Sequence, residues 1–263
     1  MNRIDAAFAS LKAAGRTALV PYVTVGDPTP AHTLPIMKAL VTAGADVIEL
    51  GVPFSDPLAD GPVIHAAATR ALEAGATLER VLSICERLAG QAPVVPMVYA
   101  NMVLARGPGE FARLLADAGA AGVIVPDLPL EETGEIRTEL SGAGIPLVPL
   151  VAPTTPPERR GRICERAEGF VYVVSTVGVT GEREELPPEL TGLIEAVRAD
   201  AEVPVAVGFG IGTAEQAAAV GGLADGIIIG SKLVRLLSDA PDEAAAAESL
   251  TGFLGEVRAA LAG

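Results

Sequence analysis

Eight short apolar runs, each closed by a turn and followed by a helix-period segment, constrain this chain more than any other feature of it. They occupy residues 19–24, 47–50, 94–98, 123–126, 146–150, 170–174, 203–207 and 226–229. Runs this short and this continuously apolar suit parallel strands, whose two faces are both covered by helices. The segments between them are rich in Ala, Leu, Glu and Arg, as at 62–74 and 109–118, and Gly44, Gly75 and Gly119 stand where helices should end. One junction recurs in AGADVIELG (43–51), AGAAGVIVPD (118–127) and GGLADGIIIGS (221–231): small residues, a turn, then a buried strand. Eight such units in 263 residues predict an α/β fold, a TIM (β/α)8 barrel forming one domain over residues 1–263. The expected additions are an N-terminal helix and extended βα loops after the second and sixth strands. An open doubly wound sheet is the alternative. It would carry a GxGxxG after its first strand, where this chain has TVGDPTP.

Composition narrows the partners. Half the residues are hydrophobic, yet no run approaches the roughly 18 consecutive apolar residues of a membrane span. The opening MNRIDAAFASLKAAG lacks the apolar core of a signal peptide and reads as an amphipathic helix. A net charge of −14 argues against a nucleic-acid surface, which needs clustered cations to neutralise phosphates. Cys85 and Cys164 are too far apart for a CxxC site and are expected as buried free thiols rather than a disulfide, which points to a cytoplasmic protein.

In a barrel of this kind the chemistry lies at the C-terminal ends of the strands. The segment VIELGVPFSDPLADGP (47–62) puts Glu49 at a strand end and Asp60 in the loop beyond, with Pro53 and Pro57 stiffening the backbone between. A carboxylate closing a buried strand is costly unless something uses it. Burial would raise the Glu49 pKa and let it serve as acid and then base, while Asp60, in a polar loop, would stay ionised. The plainer alternatives are a structural ion pair for Glu49 and a helix N-cap for Asp60. Tyr22, Asp27, Tyr99, Asn101, Asp127 and Tyr172 fall at or near other strand ends. Glycine-bearing strand ends at STVGVTGE (175–182), VGFGIGTAEQ (207–216) and IIIGSKLV (227–234) suggest a phosphate site at Gly181, Gly210, Gly230 and Ser231. Taken alone, Gly230-Ser231 could be an ordinary turn with a serine N-cap.

Residue types limit the reaction. The lysines are Lys12, Lys38 and Lys232. The first two lie on helical segments and the third follows the phosphate turn, so none suits a Schiff base at a strand end. The histidines, His32 and His65, each open an early helix and suggest no metal cluster. What remains is acid/base chemistry by carboxylates, with tyrosine or serine in support.

PYVTVGDP (21–28), ELGVPFSDPLADGPVI (49–64), PMVYAN (96–101), VPDLPLEE (125–132), STVGVTGE (175–182) and VGFGIG (207–212) closely resemble the tryptophan synthase alpha chain family. The likeness runs in order from about residue 16 to residue 235. It implies a TIM barrel that cleaves indole-3-glycerol phosphate to indole and glyceraldehyde 3-phosphate. It also implies a pyridoxal-phosphate (PLP) beta chain that takes the indole through a tunnel, an alpha2beta2 assembly, and no cofactor in this chain. By the same resemblance Tyr22, Met97, Ile124, Leu150, Tyr172 and Phe209 would line the indole pocket. The loops 53–60 and 177–185 would order around substrate and report it to the partner, with Asp56 and Pro57, exposed, and Thr180 as loop and interface residues. Three positions depart from the family's usual pattern: Thr176 in place of an arginine, Lys232 where small or apolar residues are common, and Tyr22 where phenylalanine is frequent. Indole-glycerol-phosphate synthase, a related barrel, would need a strand-end lysine that is missing here. A catalytically silent homologue that binds and regulates a beta chain is the competitor from another class.

Overall fold

The computed structural model describes residues 2–174, 188–208 and 210–262. Its strands are β1 (Ala18–Thr24), β2 (Ile48–Gly51), β3 (Val94–Met97), β4 (Val123–Ile124), β5 (Leu147–Val148), β6 (Leu150–Val151), β7 (Val171–Val174), β8 (Val205–Gly208) and β9 (Gly226–Ile229). All pair in parallel in the order β5-β4-β3-β2-β1-β9-β8-β7-β6. The two ends of that order are halves of one strand, broken at Pro149. Proline has no N–H for the ladder, so β5 pairs with β4 on one side and β6 with β7 on the other. The Pro149 carbonyl still accepts the Tyr172 N–H at 2.9 Å. Through that broken strand the sheet closes into the expected eight-stranded TIM barrel.

The repeated junction has a physical role that its sequence did not disclose. Asp46, just before β2, accepts the Leu19 N–H at 2.9 Å, and Asp225, just before β9, accepts the Val205 N–H at 2.9 Å. Each carboxylate therefore caps the start of a neighbouring strand. The glycines expected at helix ends do turn the chain there, one residue past the cap, with φ of +99° at Gly44, +82° at Gly75 and +68° at Gly119.

Apolar burial divides into two layers. The larger lies between strands and helices and includes Leu19, Val23, Leu50, Val94 and Ile229. The smaller fills the barrel with Val20, Val47, Val95, Ile124, Val148, Phe170 and Ile228, together with Ile4 and Phe8 from the helix Arg3–Ala13. That helix therefore plugs the bottom of the barrel. Gly122, Gly169 and Gly226 make room for it, since a Cβ there would lie 2.8 Å and 3.3 Å from Ile4 Cδ1 and 3.2 Å from Phe8 Cε1 respectively. Asn2 starts the plug helix with a capping box on Asp5, and the Arg3 guanidinium holds the carbonyls of Ala92 and Gly119.

Candidate active site at the barrel mouth

β1 and β2 place the central pair, because Tyr22 and Glu49 are directly paired across the two strands. Glu49 is 1% exposed, and among the described residues neither carboxyl oxygen has a hydrogen-bond partner. Desolvation, with a smaller contribution from Asp60, pushes its pKa up to about 8. It is therefore a neutral acid at neutral pH, and no structural ion pair holds it among the described residues.

Asp60 faces it from the ten-residue loop 52–61 that joins β2 to the helix Pro62–Glu73. Burial raises its pKa to about 6, and the Tyr99 hydroxyl and the charge of His65 partly offset that rise. Asp60 thus stays mostly ionised at neutral pH, though much closer to titration than a polar loop suggested. It does not cap the following helix. Gly61 holds that position, with no side-chain cap bond. Two adjacent carboxyls with separated pKa values can divide acid and base roles.

The aromatic walls rest on glycine. A Cβ at Gly51 would lie 2.1 Å from the Tyr22 hydroxyl, and one at Gly208 would lie 2.6 Å from Tyr172 Cε2. Tyr22 clusters with Ala67 and Val234, against which Val63, Ile64 and Met97 pack. Met97, Leu150 and Tyr172 also pack on the cluster that contains Ile124. The five described indole-pocket candidates therefore gather at the barrel interior, joined through Met97. Ile64 and Val234 belong with them but were not singled out from sequence. Ile64 is signalled by its place at the end of ELGVPFSDPLADGPVI, while Val234 has no comparable signal. Desolvation raises the Tyr22 and Tyr172 hydroxyl pKa values well above normal, so both are neutral.

On the other side of β1 from β2, β9 runs into Gly230, the N-cap of the helix Ser231–Asp239, where a Cβ would lie 3.3 Å from Tyr22 Cδ1. Ser231 is the first helical residue and caps nothing, contrary to the ordinary-turn alternative. Gly210 has φ +52° in the turn after β8. A helix start leaves its first N–H groups available to an anion. Lys232 follows Ser231 on the same helix, and its side chain reaches toward the C-terminal helix. Its Nζ lies 5.5 Å over the Phe253 ring of the helix Glu243–Ala260.

Other expectations change as well. Pro57 is buried, whereas Asp56 is exposed and Leu58 is 84% exposed. Turns from Leu58 N–H to the Asp56 carbonyl and from Asp60 N–H to the Pro57 carbonyl fold Pro57 inward and push Leu58 out. Asp27 is fully buried against Arg70 rather than open to the mouth. Asp127 accepts the Ala100 N–H at 2.8 Å and so anchors the helix Ala100–Arg106, which Asn101 helps to begin. His32 lies 3.4 Å from Glu243. Both cysteines are buried free thiols. Thr176, Thr180, Gly181 and Phe209 lie outside the described residues. Among the described residues no three His, Cys, Asp or Glu side chains gather as a metal would require, and no helix is long and apolar enough to cross a membrane.

A closed parallel barrel with a buried neutral acid, a second acid opposite it and a glycine-led helix start beside them defines an acid–base enzyme of the TIM-barrel class. The family model described as tryptophan synthase alpha chain matches residues 8–261, and the chain belongs to that family. The tryptophan synthase alpha chain of Alkalilimnicola ehrlichii is 48% identical over 269 residues, covering 100% of this chain and 97% of the relative. That of Carboxydothermus hydrogenoformans is 48% identical over 241 residues, or 91% and 90% of the two chains. Among solved structures, tryptophan synthase subunit alpha from Legionella pneumophila superposes with a TM-score of 0.91 at 38% identity, covering 100% and 99%. Tryptophan synthase from Mycobacterium tuberculosis gives 0.90 at 35%, covering 99% of each chain.

Proposed function

We propose that this chain is the alpha subunit of a tryptophan synthase, a carbon–carbon lyase that cleaves indole-3-glycerol phosphate to indole and glyceraldehyde 3-phosphate. Family membership supports the reaction. The observation that carries the residue assignment is Glu49, a carboxyl raised to about 8 at the mouth end of β2 beside an Asp60 raised only to about 6.

The protonated Glu49 delivers its proton to indole C3, giving an indolenine whose ring nitrogen is positive. The ionised Asp60 accepts the ring N–H and stabilises that charge. The bond from C3 to the glycerol carbon then breaks, and its electron pair returns to the ring. The neighbouring hydroxyl becomes the aldehyde carbonyl, and its proton goes to the Glu49 carboxylate, which restores the starting acid. Tyr22, Met97, Ile124, Leu150, Tyr172 and Phe209 hold the flat ring. Gly181, Gly210, Gly230 and Ser231 hold the phosphate. No step draws on a cofactor of this chain.

The indole passes to a PLP-dependent beta chain, which condenses it with serine in an alpha2beta2 assembly. The loop carrying Asp56, Pro57 and the projecting Leu58, together with Thr180 in the second loop, faces that partner. The chain acts as one domain over residues 1–263 and is placed in the cytoplasm.

The test follows both products from indole-3-glycerol phosphate, with and without a beta chain, for wild type and Glu49→Gln. Equal release of the two products, raised by the beta chain and lost in the variant while substrate still binds, is expected. Near-normal turnover in Glu49→Gln would remove Glu49 from the mechanism. Absence of release by wild type even with a competent partner would leave a regulatory subunit.

A further inference from the structure

Loop 52–61 carries Asp60; Val52 N–H ties its start to the Met97 carbonyl, and the two turns that fold Pro57 inward are local to the loop. Beyond Val52, one side chain of the neighbouring strand end meets the loop at both Phe54 and Ala59. Tyr99 is 2% exposed. Its ring stacks on Phe54 with centroids 5.0 Å apart and planes at 19°. Its hydroxyl accepts the Ala59 N–H at 3.2 Å, one residue before Asp60, and lowers the Asp60 pKa against the rise from burial. The start, the turn and the functional end of the loop therefore meet on one residue.

The base of Tyr99 is rigid. Val98 N–H bonds the Ile124 carbonyl at 2.9 Å, Val52 N–H bonds the Met97 carbonyl at 2.9 Å, and Asp127 holds the Ala100 N–H. A phenol offers one O–H and acceptor lone pairs, so a single hydroxyl serves the Ala59 amide and the Asp60 carboxylate together. Phenylalanine could do neither, although it would keep the stack.

We infer that Tyr99 is a positioning residue that seats loop 52–61 on the end of β3 and aims the Asp60 carboxylate at the substrate's ring N–H. The assignment rests on the proposed lyase reading. Other ionisable groups also surround Asp60: Glu49 on β2, Tyr22 on β1, Tyr172 on β7 and His65 on the helix Pro62–Glu73. Asp127 faces Tyr99 from beyond β4. Among these groups Tyr99 is distinguished by holding the loop directly, through the Ala59 N–H next to Asp60 and the Phe54 ring, while favouring the ionised Asp60.

The experiment is the pH dependence of kcat/KM for indole-3-glycerol phosphate cleavage by the full chain. Wild type should give a bell, its acid limb set by ionisation of Asp60 near 6 and its alkaline limb by loss of the Glu49 proton near 8. Tyr99→Phe removes the hydroxyl that holds the Ala59 amide and favours the ionised Asp60. The acid limb should move up by about one pH unit with the alkaline limb in place, since one charge-assisted bond amounts to roughly that shift. Phe54→Leu keeps the hydroxyl and loses the stack, so it should raise KM without moving either limb. An acid limb unmoved in Tyr99→Phe, or a profile lowered equally at every pH, would overturn the inference. Failure of the lyase reading has a different signature, because wild type itself would then release no indole.

Discussion

Burial of the Glu49 carboxyl destabilises the native state by an amount that depends on pH. The unfolded side chain ionises at its ordinary value near 4.5, whereas the folded one holds its proton to about 8. Between those values the unfolded chain has released a proton that the folded chain keeps, so stability falls as pH rises through the window and levels off above it. At about 1.4 kcal/mol per pKa unit the effect reaches a few kcal/mol. Glu49→Gln, which cannot ionise, should therefore melt higher than wild type at pH 8, by a margin that shrinks as pH falls until the two agree at pH 4. Equal melting temperatures across that range would mean that Glu49 is not desolvated as the structure has it. The sequence made this residue legible, because an acid that ends an apolar strand run is conspicuous. The Asp60 value was less legible. Its partial burial comes from Tyr99 and the barrel mouth, which are remote from it in the chain.

At the scale of the strand, the two aromatic walls depend on absent side chains. Gly51 ends β2 and forms the last pair of both its ladders, with Thr24 on β1 and with Met97 on β3. An added Cβ would meet Tyr22 at its hydroxyl, and at Cζ and Cε2 2.5 Å and 2.7 Å away. The ring is stiff and nearly wholly buried, so it must tilt toward the pocket. Gly51→Ala is expected to lower unfolding stability by about 1–3 kcal/mol in urea, as overpacking does, and to raise the KM for substrate. A variant within experimental error of wild type in both would show that the ring has room to move. The strands themselves could be read from their apolar runs. The split of the fifth strand at Pro149 was also present in the sequence, since proline removes a ladder donor, but its consequence, a join between two halves of the sheet, appears only once the ring has closed.

Closure of the whole ring is reinforced by two ionic straps. Arg258, from the C-terminal helix, reaches the Thr17 carbonyl at 3.1 Å as well as Gly44 and Asp46. Arg70 grips Asp27 through two bonds of 2.8 Å and 2.9 Å and also bonds Ser238 at 2.7 Å. It thereby ties the loop after β1, the helix that follows Asp60 and the helix led by Gly230. Arg70→Ala leaves a buried carboxylate without its partner, which should lower unfolding stability by about 3 kcal/mol. Arg70→Lys keeps the charge without the two-pronged geometry and should fall between. Urea midpoints for the three proteins decide the matter, and an alanine variant as stable as wild type would show that the strap adds nothing.

Period, strand count and the identity of the buried acid were properties of the sequence by itself. Short apolar runs separated by helical periods leave few folds that can cover both faces of every strand, and an acid inside such a run has few other uses. The placement of side chains between segments far apart in the chain belonged to the tertiary structure alone. It turned Pro57 inward and Leu58 outward, laid Lys232 over the Phe253 ring, and brought Tyr99 onto Phe54 and Ala59 beside Asp60. Local pattern sets which residues face a core, because burial follows the period of the backbone. Which atoms then meet across that core depends on strand register and ring closure, and neither is encoded in any single segment.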